Sequence, residues 1–258
     1  MFVERYGDGE EVYFALHGWG ADHRAFAPLA PHVPAGASFY AADLPGCGRS
    51  KAPRPLTVEA VVGEVVAWAE EFAPGGVTVV GLCGGAFFAL LAAQRLPGTV
   101  GRVVMLDAFA YLPRYFRLFL GEGVGRHAYQ ATFANPFGRW LTNRSLGARR
   151  AAGSDLTATF AAADHGVARE YLRLFAEADI NRFEGLTTPV EIVYGERSFG
   201  AIKRSAGMWR DVLPRARVWR LAGAGHLSIA EAPGRVASII FEAGGAPSSR
   251  EQGIEVEA

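Results

Sequence analysis

Cys83 lies in Gly81-Leu82-Cys83-Gly84-Gly85, between the apolar run Val77-Thr78-Val79-Val80 and an alanine- and leucine-rich stretch that begins at Ala86. A thiol on a sharp glycine turn between a strand and a helix is held out on a strained bend, ready to attack a carbonyl carbon. Backbone N–H groups at the start of the helix favour the thiolate. A nucleophilic thiol also needs an imidazole within reach to take its proton. His226, in Gly223-Ala224-Gly225-His226, is the candidate base. The bland alternative is a cysteine packed inertly between strand and helix, with His226 a structural turn residue.

The elements around these residues weigh on that choice. Strand-like and helix-like segments alternate through the first 107 residues, with strands expected at 11–16, 38–42, 77–82 and 102–106. Helices are expected at 57–72, with Thr57 as its cap, and at 86–96. From 108 to 188 the strand signals vanish and helical, aromatic-rich segments take over, Phe109, Phe116, Phe133, Phe160 and Phe175 among them. The alternation returns with strands at 190–194 and 217–221 and helices at 202–212 and 233–241. This pattern predicts an α/β fold with a mostly parallel sheet and helices on both faces. Residues 1–107 and 189–243 would form the core. Residues 108–188 would form a helical cap over a site, or else additional core packing. The Gly-, Pro-, Ser- and charge-rich stretch 244–258 predicts a disordered tail. Ligands of parallel sheets bind at the carboxyl ends of the strands. Trp19, Cys83, Asp107, His226 and the turn Gly195-Glu196-Arg197-Ser198 all stand at such ends, so convergence in space favours the nucleophilic reading of Cys83.

Composition narrows the classes of function. Lys+Arg and Asp+Glu both number 26 in 258 residues, which argues against general binding to nucleic acid or anionic membranes. The two cysteines, Cys47 and Cys83, form no disulfide framework and no C-x-x-C, consistent with a reducing compartment and a cytoplasmic location. The first residues lack the basic and apolar regions of a signal peptide, and no apolar run reaches about 18 residues, so no membrane span is expected. Histidines and carboxylates are too dispersed for a metal-ligand pattern, and the glycine turn does not fit a phosphate-binding fingerprint; neither a metal nor a cofactor is expected.

His17-Gly18-Trp19-Gly20, Asp43-Leu44-Pro45-Gly46-Cys47-Gly48-Arg49-Ser50, the turn Gly81 to Gly85, and Gly225-His226 followed by Glu231 and Pro233 occur in an order and spacing that resemble the α/β-hydrolase superfamily. The architecture is similar to its small capped esterases and thioesterases, with cysteine replacing the serine of the usual G-x-S-x-G elbow. The resemblance implies the α/β-hydrolase fold with a helical cap. It makes His226 the general base and the backbone N–H groups of Trp19 and Gly84 the oxyanion hole. It gives His17 the task of organising the oxyanion loop. Glycine at 84 departs from the larger residue common there and predicts extra room above the sulfur. The acid of the triad usually follows the strand ending near Tyr194-Gly195 in a G-x-x-D pattern, but Ser198 stands where the aspartate belongs. Asp107, the position used by some members of the superfamily, is preferred as the acid. Glu196 is the alternative, and a thiolate–imidazolium pair without any acid stays open. Cys47 falls in a structural turn and carries no catalytic expectation; His23, His32, His127 and His165 are expected on the surface or in the cap.

A cysteine elbow points to an acyl-cysteine intermediate. The leading reading is a hydrolase of an ester, lactone or thioester, with an apolar cap pocket for the acyl group. An acyltransferase passing the acyl group from a thioester to an alcohol or amine is the alternative, because the thioester adduct is high in energy. A non-catalytic ligand-binding protein on the same fold is a third reading, motivated by Ser198. The expected partner is a small acyl substrate, free or linked to a carrier or coenzyme A; the excess of arginine over acidic residues in the cap could meet such a carrier.

Overall fold

Near-continuous apolar runs give the central strands two buried faces, and the chain stacks helices on both. A computed structural model describes residues 1–151, 153–242 and 253–257. Eight strands form one sheet in the order β1-β3-β2-β4-β5-β6-β7-β8. They are β1 (Val3–Tyr6), β2 (Glu11–Leu16), β3 (Ala37–Ala42), β4 (Val77–Leu82), β5 (Val100–Leu106), β6 (Val190–Gly195), β7 (Arg217–Leu221) and β8 (Ile254–Glu257). The strands from β3 to β7 are mutually parallel, and β1 and β8 close the two edges antiparallel.

The strand period of two sorts side chains between two cores. On one face Phe14, Leu16, Val79, Val103 and Met105 pack with helices α1 (Val58–Phe72), α2 (Gly85–Arg95) and, further along the chain, Gly200–Val212. On the other, Tyr13, Ala15, Val80, Val104 and Leu106 pack with residues of the 3₁₀ stretch His23–His32 and of the last helix, Pro233–Phe241. Thr57 caps α1 as its sequence position predicts, accepting a hydrogen bond from the Ala60 N–H at 3.1 Å.

Between β5 and β6 come α3 (Arg114–Arg117), α4 (Val124–Tyr129), α5 (Pro136–Ser145) and α6 (His165–Ala176), and no strand among the described residues. They enclose a small core of Tyr129, Phe133, Phe160 and Ala168, against which Trp19 packs. Trp19 Nε1 donates to the Ala168 carbonyl at 2.7 Å, and Tyr171 Oη donates to the Pro45 carbonyl at 2.8 Å. These bonds seat α6 on the loops after β2 and β3. After β6 come α7 (Gly200–Val212), α8 (Ser228–Glu231) and α9 (Pro233–Phe241).

The tail departs from expectation. Instead of being disordered throughout, Ile254–Glu257 pairs with β7, Ile254 opposite Leu221. Ile254 is buried, Glu255 pairs with Arg220, and Tyr194 Oη donates to Glu257. The alternation Ile-Glu-Val-Glu is a strand pattern, too short to stand out in a polar stretch. Residues 244–252 and 258 of that expectation lie outside the described residues. Among the described residues, no helix is long and apolar enough to cross a membrane.

Candidate active site

β4 delivers Cys83 and α2 carries the chain away from it. The bend is tight: a Cβ on Gly81 would sit 2.3 Å from the Ala86 Cα, and one on Gly85 would sit 2.1 Å from the Leu16 carbonyl oxygen. Cys83 takes the left-handed conformation at φ +52°, and its N–H donates to the Leu106 carbonyl at 2.8 Å. A β-substituted residue held at positive φ costs on the order of 1 kcal/mol, so the surrounding fold must enforce it. Asp107 is the other non-glycine residue with positive φ among the described residues, at +47°. Cys83 and Asp107 thus sit on two bends at the ends of the neighbouring strands β4 and β5.

The backbone N–H groups of Trp19 and Gly84 both point at the Cys83 sulfur. Burial nevertheless dominates and pushes the thiol up to about 12. This departs from the sequence expectation of a thiolate favoured by the helix start: two N–H donors do not offset the loss of water, and the thiol keeps its proton.

His226 enters from the loop after β7. Its N–H donates to the Arg149 carbonyl, in the segment between β5 and β6, at 3.0 Å, and its ring packs edge-on against Phe199. Burial lowers it to about 4, so the ring is neutral. Its Nδ1 lies 3.4 Å from Ser198 Oγ and 3.9 Å from Asp107 Oδ1. Asp107 is fully buried and accepts the Gly195 N–H at 3.2 Å on Oδ1. Burial pushes it up to about 7, against the Ser228 and Ser198 hydroxyls and the Gly195 N–H, which favour the ionised form. Among the described residues, Oδ2 and the Ser228 hydroxyl have no partner at full hydrogen-bond geometry. The other candidate acid is elsewhere: Glu196 faces outward, accepts the Gly223 N–H at 2.7 Å and pairs with Arg220 at 3.0 Å. Ser198, which the sequence marks only as a missing aspartate, occupies the space between Asp107 and His226.

Two further residues hold the frame. His17 is buried, with Nδ1 2.8 Å from the Gly18 carbonyl and Nε2 accepting the Leu44 N–H at 3.0 Å. Those partners fix a neutral ring that ties the Trp19 loop to the loop after β3. Glu231 accepts the Gly225 N–H at 2.6 Å on one oxygen and, on the other, the Ala151 N–H at 2.8 Å and the Ser154 hydroxyl at 3.0 Å. It therefore clamps the His226 loop to the segment between β5 and β6. The sequence shows Glu231 as part of a motif but holds no signal for its partners Ala151 and Ser154, some 80 residues away.

Trp19, Cys83, Gly84 and His226 line one cavity of about 570 Å³, whose other walls are mostly aromatic and aliphatic, Phe109, Phe116 and Phe133 among them. Cys47 is not in its lining, and burial pushes that thiol up to about 12 as well. The room expected above Gly84 is taken: a Cβ there would fall 2.3 Å from Cζ of Phe175, a ring from α6. His23 is also not a bystander, since its N–H and Nδ1 both meet the buried Asp43 carboxylate, at 2.7 and 2.8 Å. Asp22, His23 and Asp43 come close enough to share an ion, which their dispersal in sequence hides. Their oxygens are already engaged, however: Asp43 by His23 and by the Arg49 N–H, and Asp22 by Arg24.

A mostly parallel sheet with a strained turn before its central helix and a histidine after a later strand is the arrangement of the α/β-hydrolase fold. Residues 13–239 match the alpha/beta hydrolase family, and the chain belongs to it. It is similar to a pimeloyl-[acyl-carrier protein] methyl ester esterase of Sodalis glossinidius, 29% identical over 155 residues, 57% of each protein. The chain spans about half the length of the curated relatives it matches. Its fold is shared by a hydrolase from Pseudomonas aeruginosa (TM-score 0.77, 16% identity, 95% and 94% of the two chains covered). A thermophilic esterase from Thermogutta terrifontis shares it too (TM-score 0.74, 20% identity, 93% and 91% covered).

Proposed function

We propose that this protein cleaves an ester or thioester through an acyl-cysteine intermediate, with Cys83 as nucleophile, His226 as base and Asp107 as the acid behind it. The observation that carries this reading is Cys83 itself, held at positive φ with its sulfur facing two N–H donors beside an apolar cavity. The names of the relatives, methyl ester esterases, support ester cleavage of an acyl compound.

The chemistry follows from the protonation states. Thiol and imidazole are both neutral at rest, so His226 takes the Cys83 proton as the sulfur attacks the carbonyl carbon. The Trp19 and Gly84 N–H groups receive the developing oxyanion, each such donor being worth roughly 3 kcal/mol in the transition state. Asp107, with the Ser198 hydroxyl beside it, stabilises the imidazolium through Nδ1. His226 then returns the proton to the departing alcohol or thiol. Water, deprotonated by the same ring, attacks the acyl thioester and frees the acid and the Cys83 thiol.

Acyl transfer is a second reading, favoured by the apolar lining of the cavity, which would suit an alcohol acceptor as well as water. Turnover of 4-nitrophenyl butyrate and of a butyryl thioester tests the proposal. The native chain should release acid and Cys83→Ala should lose about 10³-fold or more. Equal rates for the two proteins would refute a role for Cys83. An ester product on adding alcohol would identify a transferase.

A further inference from the structure

A second recess, of about 800 Å³, opens beside the catalytic cavity and shares six wall residues with it: Tyr111, Leu112, Pro113, Tyr115, Gly200 and Ala201. The rest of its lining is Arg114, Arg117 and Arg204. The first two project from α3 in the cap and the third from α7 in the core, and all three are exposed. Arg24, Arg169, Arg173, Arg217 and Arg220 each face a carboxylate. Arg114, Arg117 and Arg204 have no such partner among the described residues, and no acidic residue lines the recess. Like charges gathered around one recess repel until an anion enters it. Guanidinium groups match carboxylate and phosphate through paired hydrogen bonds.

We propose that this recess is an anion subsite. It holds a carboxylate or phosphate carried by the substrate while the scissile carbonyl and the apolar part of the substrate occupy the adjoining cavity. The assignment builds on the ester- or thioester-cleaving reading above. The anion can sit at either end of such a substrate: a carboxylate ending the acyl chain, or a phosphate on the leaving thiol.

Binding to Cys83→Ala, which retains bound substrate, separates the two. Methyl hexanoate is compared with monomethyl adipate, and the hexanoyl thioester of N-acetylcysteamine with hexanoyl-coenzyme A, by calorimetry at low and high salt. The expected result is about tenfold or more tighter binding of one anionic probe than of its neutral twin, an advantage that shrinks with salt. Adding Arg114→Ala, Arg117→Ala and Arg204→Ala should abolish the advantage, whereas adding Arg126→Ala, an exposed cap arginine outside the recess, should leave it. A gain with adipate places the anion on the acyl side, and one with coenzyme A on the leaving side. No gain in either pair, or a gain that survives the triple replacement, overturns the subsite. Turnover of 4-nitrophenyl butyrate by the native chain is read in parallel, so failure of the esterase reading is seen separately from failure of the subsite.

Discussion

At the scale of single residues, burial acts on the three reactive groups in different senses. It holds the proton on Cys83, keeps it off His226, and leaves Asp107 titrating near pH 7. Only the Asp107 step falls in the working range. kcat/KM should therefore rise as pH rises through about 7, when an ionised Asp107 becomes available to the imidazolium. Asp107→Asn should lower turnover 10²- to 10⁴-fold and flatten that limb, with Glu196→Gln within a few-fold of native. If the two variants lose equally little, Asp107 is not the acid. The same ionisation bears on stability. Between the unfolded pKa near 3.8 and the folded value near 7, the native state binds a proton that the unfolded state has lost, so the Asp107 contribution falls as pH rises across that window. His226, lowered from 6.5 to about 4, contributes in the opposite direction between those values. The stability of Asp107→Asn relative to native should thus grow from pH 4 to pH 7 and then level off, as urea denaturation at several pH values would show.

At the scale of elements, the helical segment between β5 and β6 meets the site loops at two tight contacts. Phe175 of α6 lies over Gly84, so Gly84→Ala should displace that ring and the N–H beside it, lowering turnover about tenfold or more. A smaller residue at 175 in the same chain should recover part of the loss, a coupling that a double-mutant cycle measures; simple additivity would show that the contact plays no part. Glu231 is the second joint. Glu231→Ala leaves the Gly225 and Ala151 N–H groups without their acceptor, at about 1–3 kcal/mol for each that stays buried. A lower melting temperature together with a lower kcat is expected, with Glu231→Gln between Ala and native. A fall in melting temperature alone would make the clamp purely structural.

For the whole molecule, the sequence is most legible where local pattern and tertiary need agree. Strands at 11–16, 77–82 and 217–221 and the Thr57-capped helix have the periods and caps that their burial demands. The edges are less legible. β1 and β8 are four residues each and hold their place by pairing with β3 and β7, a nonlocal cause that no short window carries. Ile254→Asp should lower the melting temperature by several degrees through this edge while leaving kcat unchanged. Within the site, periodicity reveals the strand ends at which Cys83, Asp107 and His226 stand, while the roles expected of His226 and Asp107 come from the resemblance to the superfamily. The filled space above Gly84, the position of Ser198 and the protonated thiol rest on which ring or loop arrives from afar, and on how much water it removes.

The central claim is covalent catalysis at Cys83. Intact-mass spectrometry after brief exposure to activated esters and acyl thioesters tests it most directly, with Cys83→Ala alongside. A gain of one acyl group on the native chain, absent from the variant and decaying with time, is the predicted result. Turnover without any adduct on Cys83, or an adduct that persists in Cys83→Ala, would contradict it.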